Sequence, residues 1–272
     1  MESRNLASAA CAVTVFSHRG LSGTSTDSTV PNEAQLLSIV DRGINAFDLD
    51  LVFASDAPIG EIVVAHPVSL QNKLGEADIF ETRSSLLRNQ NLLLVDKLLK
   101  MVARRNLTVA LDLKGNQQKP AKHAEQLLWL ARRVQRMNLY NRVWLWTDTT
   151  DSARTLRRSL RKLDAKEPPL KLLKAVRDWG LTPSANGKFD CSGPQRLQRA
   201  DASLYAFLGP SFKCANRQLL SPSWVKWTPA ELLVWVVDTD AELHAMLRLG
   251  VRNVISNTPL RVRAAARRMC GR

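Results

Sequence analysis

Apolar and polar positions along the chain fall into two alternating rhythms. Short runs such as AVTVF (12–16), INAFDLDLVFA (44–54), LTVALDL (107–113) and RVWLWTD (142–148) have the length and β-branched or aromatic content of buried strands. Between them lie stretches with a period near 3.6, among them VDKLLKMVARRN (95–106), where Val95, Leu98, Leu99 and Val102 share one face. PNEAQLLSIVDRG, AKHAEQLLWLARRVQRMN, DSARTLRRSLRKLD, AELHAMLRLG and TPLRVRAAARRM repeat the helical rhythm. The spacing predicts eight strands, at 12–17, 45–53, 107–113, 142–147, 170–175, 203–208, 232–237 and 252–256. Strands that alternate with helices imply parallel pairing, and eight of them imply a (β/α)₈ TIM barrel of the α/β class. EIVVAHPV (61–68) comes too soon after the tight SDAPIG connection for a crossover helix, so it is expected as a small hairpin arm after the second strand. The polar stretch 71–91 is expected as an exposed loop, and the turn-rich stretches 181–195 and 214–229 as loops over the barrel mouth.

Polar residues interrupt the strand runs at positions with chemical meaning. Asp48 and Asp50 stand two apart, so their side chains share one strand face, and a hard cation would relieve their repulsion. Asp112 and Lys114 repeat the spacing after LTVAL, offering a further oxygen ligand and an ammonium for a phosphate. His18 ends AVTVF and His66 ends EIVVA. In a barrel these positions all lie at the C-terminal strand ends, the face that carries chemistry. Two histidines, three aspartates, Arg19 and Lys114 thus form a constellation suited to phosphoryl transfer. Trp144 and Trp146 also share a face, where core packing and a substrate wall are equally open, while His123 and His244 fall within helices and are expected at the surface.

Composition changes the picture in three respects. The 272 residues suit one barrel domain spanning 1–272, and a net charge of +14 favours an anionic partner, either a phosphate-bearing substrate or an anionic membrane surface. No recognition motif or aromatic platform accompanies the charge, so no nucleic acid is expected, and the paired arginines read mainly as solvated helix faces. Cys11, Cys191, Cys214 and Cys270 are scattered, which suggests neither zinc nor a dense disulfide framework and favours a reducing, intracellular and cytoplasmic setting. No signal peptide or membrane-spanning run is visible in the sequence.

The order of these pieces, HRG (18–20), PNEA (31–34), DLD (48–50), a histidine after the next strand, DLK (112–114), WVVDT (235–239) and RLGVRNVISNTP (248–259), resembles the glycerophosphodiester phosphodiesterase family over residues 12–262. The resemblance implies a phosphoric diester hydrolase acting on glycerophosphodiesters or related phospholipid-derived diesters. His18 and His66 would be its acid and base, Arg19 and Lys114 its phosphate ligands, and Asp48, Asp50 and Asp112 the ligands of Mg²⁺ or Ca²⁺. Trp235 would border the apolar part of the substrate.

Several positions depart from the family pattern. Asn32-Glu33-Ala34 stands for Glu-Asn-Thr, Asp48 and Asp112 for glutamates, and Pro67 for the aspartate after the second histidine. Each Asp is one methylene shorter than Glu, and Pro67 supplies neither a carboxylate nor an amide proton. A phospholipase D-like enzyme acting on lysophospholipids or sphingolipids, or a phosphate- or lipid-binding barrel without activity, are the alternative readings.

Overall fold

The computed structural model describes residues 13–22, 29–75, 78–88, 90–115, 120–147, 149–161, 170–175, 204–212 and 232–271. Its strands are β1 Thr14–His18, β2 Ala46–Val52, β3 Val63–Val64, β4 Thr108–Leu113, β5 Val143–Thr147, β6 Lys171–Ala175, β7 Phe207–Gly209, β8 Leu233–Val234 and β9 Asn253–Ser256. All nine belong to one sheet, in the order β7-β6-β5-β4-β2-β1-β9-β8, with β3 attached to β2 alone. Every pairing along that path is parallel. A parallel bridge between Leu208 and Leu232 joins the two ends, so eight strands close into the expected barrel.

Alternation along each strand builds the two sides of the barrel wall. Phe47, Leu49 and Leu51 of β2, Val109, Leu111 and Leu113 of β4, and Leu145 of β5 face outward into one buried cluster with helix residues. That cluster receives the apolar faces of α1 Glu33–Asp41 and α4 Val95–Arg105, together with those of α5 Pro120–Arg136 and α6 Thr150–Arg161. The opposite set, Phe16, Ala46, Ala110, Trp144, Trp146, Leu173, Leu233 and Ile255, plugs the barrel interior. Trp144 stacks on Phe207 at a centroid separation of 4.1 Å, which decides its role as core packing. Farther round the barrel, α7 Asp240–Arg248 and α8 Pro259–Met269 pack on β1, β8 and β9.

The hairpin arm is present: β3 runs antiparallel to β2, pairing Val64 with Leu51 and Val63 with Val52. Beyond the arm, the stretch 71–91 differs from the exposed loop expected there. Leu70 of the short helix α2 Pro67–Leu74, Leu87 of α3 Ser84–Arg88, and Ile79 from the turn between them are buried against Val52, Ala54 and Val63 in a satellite core. Apolar residues spaced too widely for a regular helical pattern still suffice to anchor that segment. The stretches 181–195 and 214–229 lie outside the described residues. Cys270, directly after α8, is disulfide-bonded. Among the described residues, no helix is long and apolar enough to cross a membrane.

Candidate active site at the barrel mouth

Parallel register brings the polar strand ends together. His18 of β1 lies beside Asp48 of β2, and Asp50 beside Asp112 of β4. The same alternation that points Phe16, Ala46 and Ala110 into the barrel points His18, Asp48, Asp50, Asp112 and Lys114 inward two or four residues further on, at the mouth.

The HRG segment is a tight turn made from two left-handed residues, Arg19 at φ 56° and Gly20 at φ 68°. Gly20 is required twice over, since a Cβ there would also collide with Leu36 of α1. The Arg19 amide donates to the Asp48 carbonyl at 2.7 Å and the Ser17 hydroxyl to the Leu21 carbonyl at 2.8 Å, which holds the turn against β2. A non-glycine residue held in that conformation costs on the order of 1 kcal/mol, and here it aims the guanidinium over the mouth.

Behind His18 lies a chain of hydrogen bonds. Asp238 accepts from the Ser256 hydroxyl at 2.8 Å, from the Asn257 amide at 2.7 Å and from Asn257 Nδ2 at 2.8 Å. Because Asn257 donates through Nδ2, its Oδ1 faces His18 Nδ1 at 2.7 Å and accepts from it. His18 is thereby fixed with the proton on Nδ1 and the lone pair on Nε2. Burial lowers its pKa, and the hydrogen bond to Asn257 only partly opposes that. The turn carrying Asp238 is held by a capping box, in which Glu242 accepts from the Asp238 and Thr239 amides at 2.9 Å each.

Asp48, Asp50, Asp112 and Lys114 form a compact charged group. Lys114 Nζ donates to Asp50 Oδ1 at 2.9 Å and to Asp112 Oδ2, while Arg19 Nε lies 3.7 Å from Asp50 Oδ2. Burial tends to lower the Lys114 pKa, but the carboxylates of Asp50 and Asp112 outweigh it and hold the ammonium charged. Asp48 stands apart from this exchange and accepts from the indole of Trp146 at 2.8 Å. Burial, reinforced by repulsion from Asp50, pushes its carboxyl up to about 7.

His66 comes directly after the β3 arm and reaches the same mouth, because the Ala65 amide donates to the Asp50 carbonyl at 2.9 Å. It is the N-cap of α2, and Pro67 takes the first helical position, where its fixed φ suits the helix and its missing N–H is of no consequence. His66 Nδ1 and Arg19 Nε are both buried without a hydrogen-bond partner. Burial lowers the His66 pKa to about 4, with Arg19, Lys114 and His18 pushing the same way and Asp50 against. Trp235 also borders the barrel interior, its indole N–H donated to the Gly209 carbonyl at 2.8 Å, so that only its apolar faces remain for a ligand.

Every candidate from the sequence therefore lies at the mouth, but the carboxylates are not arranged as a cation site. Lys114 bridges Asp50 and Asp112, and Trp146 holds Asp48. Among the described residues, no group of three His, Cys, Asp or Glu side chains is placed to hold a metal ion. Asn32 caps α1 through the Gln35 amide at 3.0 Å, and Glu33 pairs with Lys97 of α4 at 2.6 Å, so PNEA adds no ligand either.

Four participants are not evident from sequence. Trp146, Asn257 and Asp238 sit within the quoted segments, but only the fold reveals their partners. His123 is half-buried: it donates to the Leu113 carbonyl at 3.0 Å and packs against Gly115, bracing the end of β4.

The fold has counterparts among solved structures. A glycerophosphodiester phosphodiesterase from Parabacteroides distasonis is 17% identical with a TM-score of 0.65, over 95% of this chain and 99% of that one. A putative glycerophosphoryl diester phosphodiesterase from Silicibacter pomeroyi is 17% identical with a TM-score of 0.70, over 96% and 95%. An Oleispira antarctica phosphodiesterase, solved in complex with the product sn-glycerol-3-phosphate, is 15% identical with a TM-score of 0.62, over 93% and 96%. The shared feature is the fold. No protein-family model matches this chain, and no curated protein matches it by sequence.

Proposed function

We propose that the protein is a phosphodiesterase acting on glycerophosphodiesters or related phospholipid-derived diesters. The observation that carries this reading is the convergence of two neutral imidazoles with two cationic side chains at one end of a barrel shared with glycerophosphodiester phosphodiesterases. Arg19 Nε and His66 Nδ1 are buried polar atoms without partners, and a phosphodiester oxygen set between them would satisfy both.

In this reading His18 is the general base. Its Nδ1 proton is committed to Asn257, its Nε2 lone pair faces the mouth, and burial keeps it unprotonated near neutral pH. Nε2 takes the proton of the attacking hydroxyl, whether water or a hydroxyl of the substrate itself, as a new P–O bond forms. Arg19 and Lys114 hold the phosphoryl oxygens as negative charge grows on them. His66 then supplies a proton to the departing alkoxide as the old P–O bond breaks. The bound phosphodiester anion raises the His66 pKa by offsetting Arg19 and Lys114, so substrate itself arms the acid. Trp235 lies against the apolar part of the substrate. No step is assigned to Mg²⁺ or Ca²⁺, since the carboxylates do not gather around a cation position.

The test is hydrolysis of a panel of glycerophosphodiesters, lysophospholipids and sphingolipids by the natural chain and by His18→Ala and His66→Ala. Each substitution is expected to cut turnover by ~10²–10⁴-fold while the far-ultraviolet spectrum is preserved. Nearly full activity in both variants rules the mechanism out, and an inert natural chain favours a binding barrel.

A further inference from the structure

The disagreement between the carboxylates and a metal site has a specific shape. Asp50 and Asp112 are neighbours across β2 and β4, and the ammonium of Lys114 donates to one oxygen of each. The other Asp50 oxygen faces the Arg19 guanidinium at 3.7 Å. A divalent ion coordinates carboxylate oxygens at about 2.0–2.6 Å. To reach these oxygens it would have to expel Lys114 from between them and sit beside Arg19. At Asp112 the shorter side chain keeps the carboxylate close to β4, within the reach of Lys114. Among the described residues, Asn32 and Glu33 are engaged at α1, Pro67 has no carboxylate, and Asp48 is held by the Trp146 indole.

We propose that Lys114 is the resident cation of this site: its ammonium, clamped by Asp50 and Asp112, takes the place of a divalent ion, and with Arg19 it binds the phosphodiester without metal. Asp50 and Asp112 face one ammonium and one guanidinium, and Asp48, the third carboxylate of the group, is held by the indole of Trp146. Of the three N–H donors of Lys114, two serve Asp50 and Asp112 and the third remains for a phosphoryl oxygen. Arg19 Nε has no hydrogen-bond partner and supplies the next donor. The carboxylates thus act as positioning groups that hold the ammonium at a fixed point, a role that a mobile surface lysine does not fill.

The turnover half of this proposal rests on the phosphodiesterase reading; the binding half does not. After dialysis against EDTA, the natural chain is titrated calorimetrically with MgCl₂ and CaCl₂, and its thermal midpoint is measured with each salt and with inorganic phosphate. No saturable metal binding is expected, and phosphate in EDTA is expected to raise the midpoint, an effect lost in Arg19→Met. Lys114→Met removes the ammonium from between Asp50 and Asp112 and is expected to gain Ca²⁺- or Mg²⁺-dependent stabilisation. On any substrate that the chain hydrolyses, rates in EDTA and in millimolar Mg²⁺ or Ca²⁺ are expected to agree within about twofold. One-to-one micromolar metal binding by the natural chain, abolished in Asp50→Asn, overturns the proposal, as does a tenfold or larger stimulation by metal. If Lys114→Met does not fold, the natural chain and Asp50→Asn still decide. If no substrate is hydrolysed, the phosphodiesterase reading falls and the calorimetry still settles what occupies the site.

Discussion

In His18 the two ring nitrogens face different partners, and the one that does no chemistry fixes the state of the other. Asn257 can orient the ring but carries no charge to stabilise an imidazolium, so Asn257→Asp is expected to raise the His18 pKa. The acid limb of kcat/KM should then move to higher pH, whereas Asn257→Leu should lower kcat by about tenfold or more with little change in KM. An unmoved pH profile in Asn257→Asp would deny the relay. Protonation also governs stability, and the signs oppose one another. His66, depressed to about 4, contributes stability that is complete above its ordinary 6.5 and is lost as pH falls toward 4; His18, also depressed, acts in the same direction. Asp48, raised to about 7, contributes stability that is complete below 3.8 and is lost as pH rises through 7. Asp48→Asn keeps an oxygen for Trp146 and removes a buried charge, so it should stabilise the fold by about 1–3 kcal/mol at pH 8 and by little at pH 5. Thermal unfolding at the two pH values checks this. A sequence shows that His18 and Asp48 are present, but not that Asn257, more than two hundred residues away, decides which nitrogen of His18 is basic.

At the scale of elements, sequence is most informative where geometry is simple. A period of two carries a side chain from the barrel interior at Phe16 or Ala46 to the mouth at His18 or Asp48, and that can be read from spacing alone. It is least informative where one residue serves a local need, as Asn32 does. Placed where the family pattern has a glutamate, Asn32 makes a reciprocal capping box with Gln35 instead. Asn32→Ala is therefore expected to cost about 1 kcal/mol in denaturant unfolding and to leave kcat/KM intact. A large loss of activity without destabilisation would return PNEA to the site. Pro67 likewise has a structural duty, opening α2 immediately after His66. An aspartate at this first helical position is compatible with the helix dipole and places a carboxylate beside His66. Pro67→Asp should fold, raise the His66 pKa and extend activity to higher pH. An unchanged alkaline limb would mean that His66 is not the acid.

For the whole molecule, charge is the property that the fold does not explain. A net charge of +14 cannot be assigned to the mouth, where Asp48, Asp50 and Asp112 lie beside Lys114 and Arg19. Much of it lies on helices outside the barrel; Arg154, Arg157, Arg158 and Arg161 of α6 line a cavity of about 420 Å³ with Leu204. Like charges at that spacing weaken a helix slightly, by a few tenths of a kcal/mol per pair, and repulsion from Arg161 adds to burial in lowering the Arg157 pKa. Such a surface draws phosphate-bearing anions toward the mouth, a long-range effect that salt screens beyond about 8–10 Å. The expected signature is a fall in kcat/KM of roughly tenfold between low and high ionic strength for an anionic diester, with kcat nearly constant. A zwitterionic lysophospholipid of similar size should respond far less, because steering acts on net ligand charge. Arg158→Glu combined with Arg161→Glu, remote from the mouth, should reproduce the effect of salt on the anionic substrate at low ionic strength. Equal salt sensitivity for both substrates, or a loss confined to kcat, would show that salt acts on the chemistry at Arg19 and Lys114 and that the basic exterior does not steer the substrate.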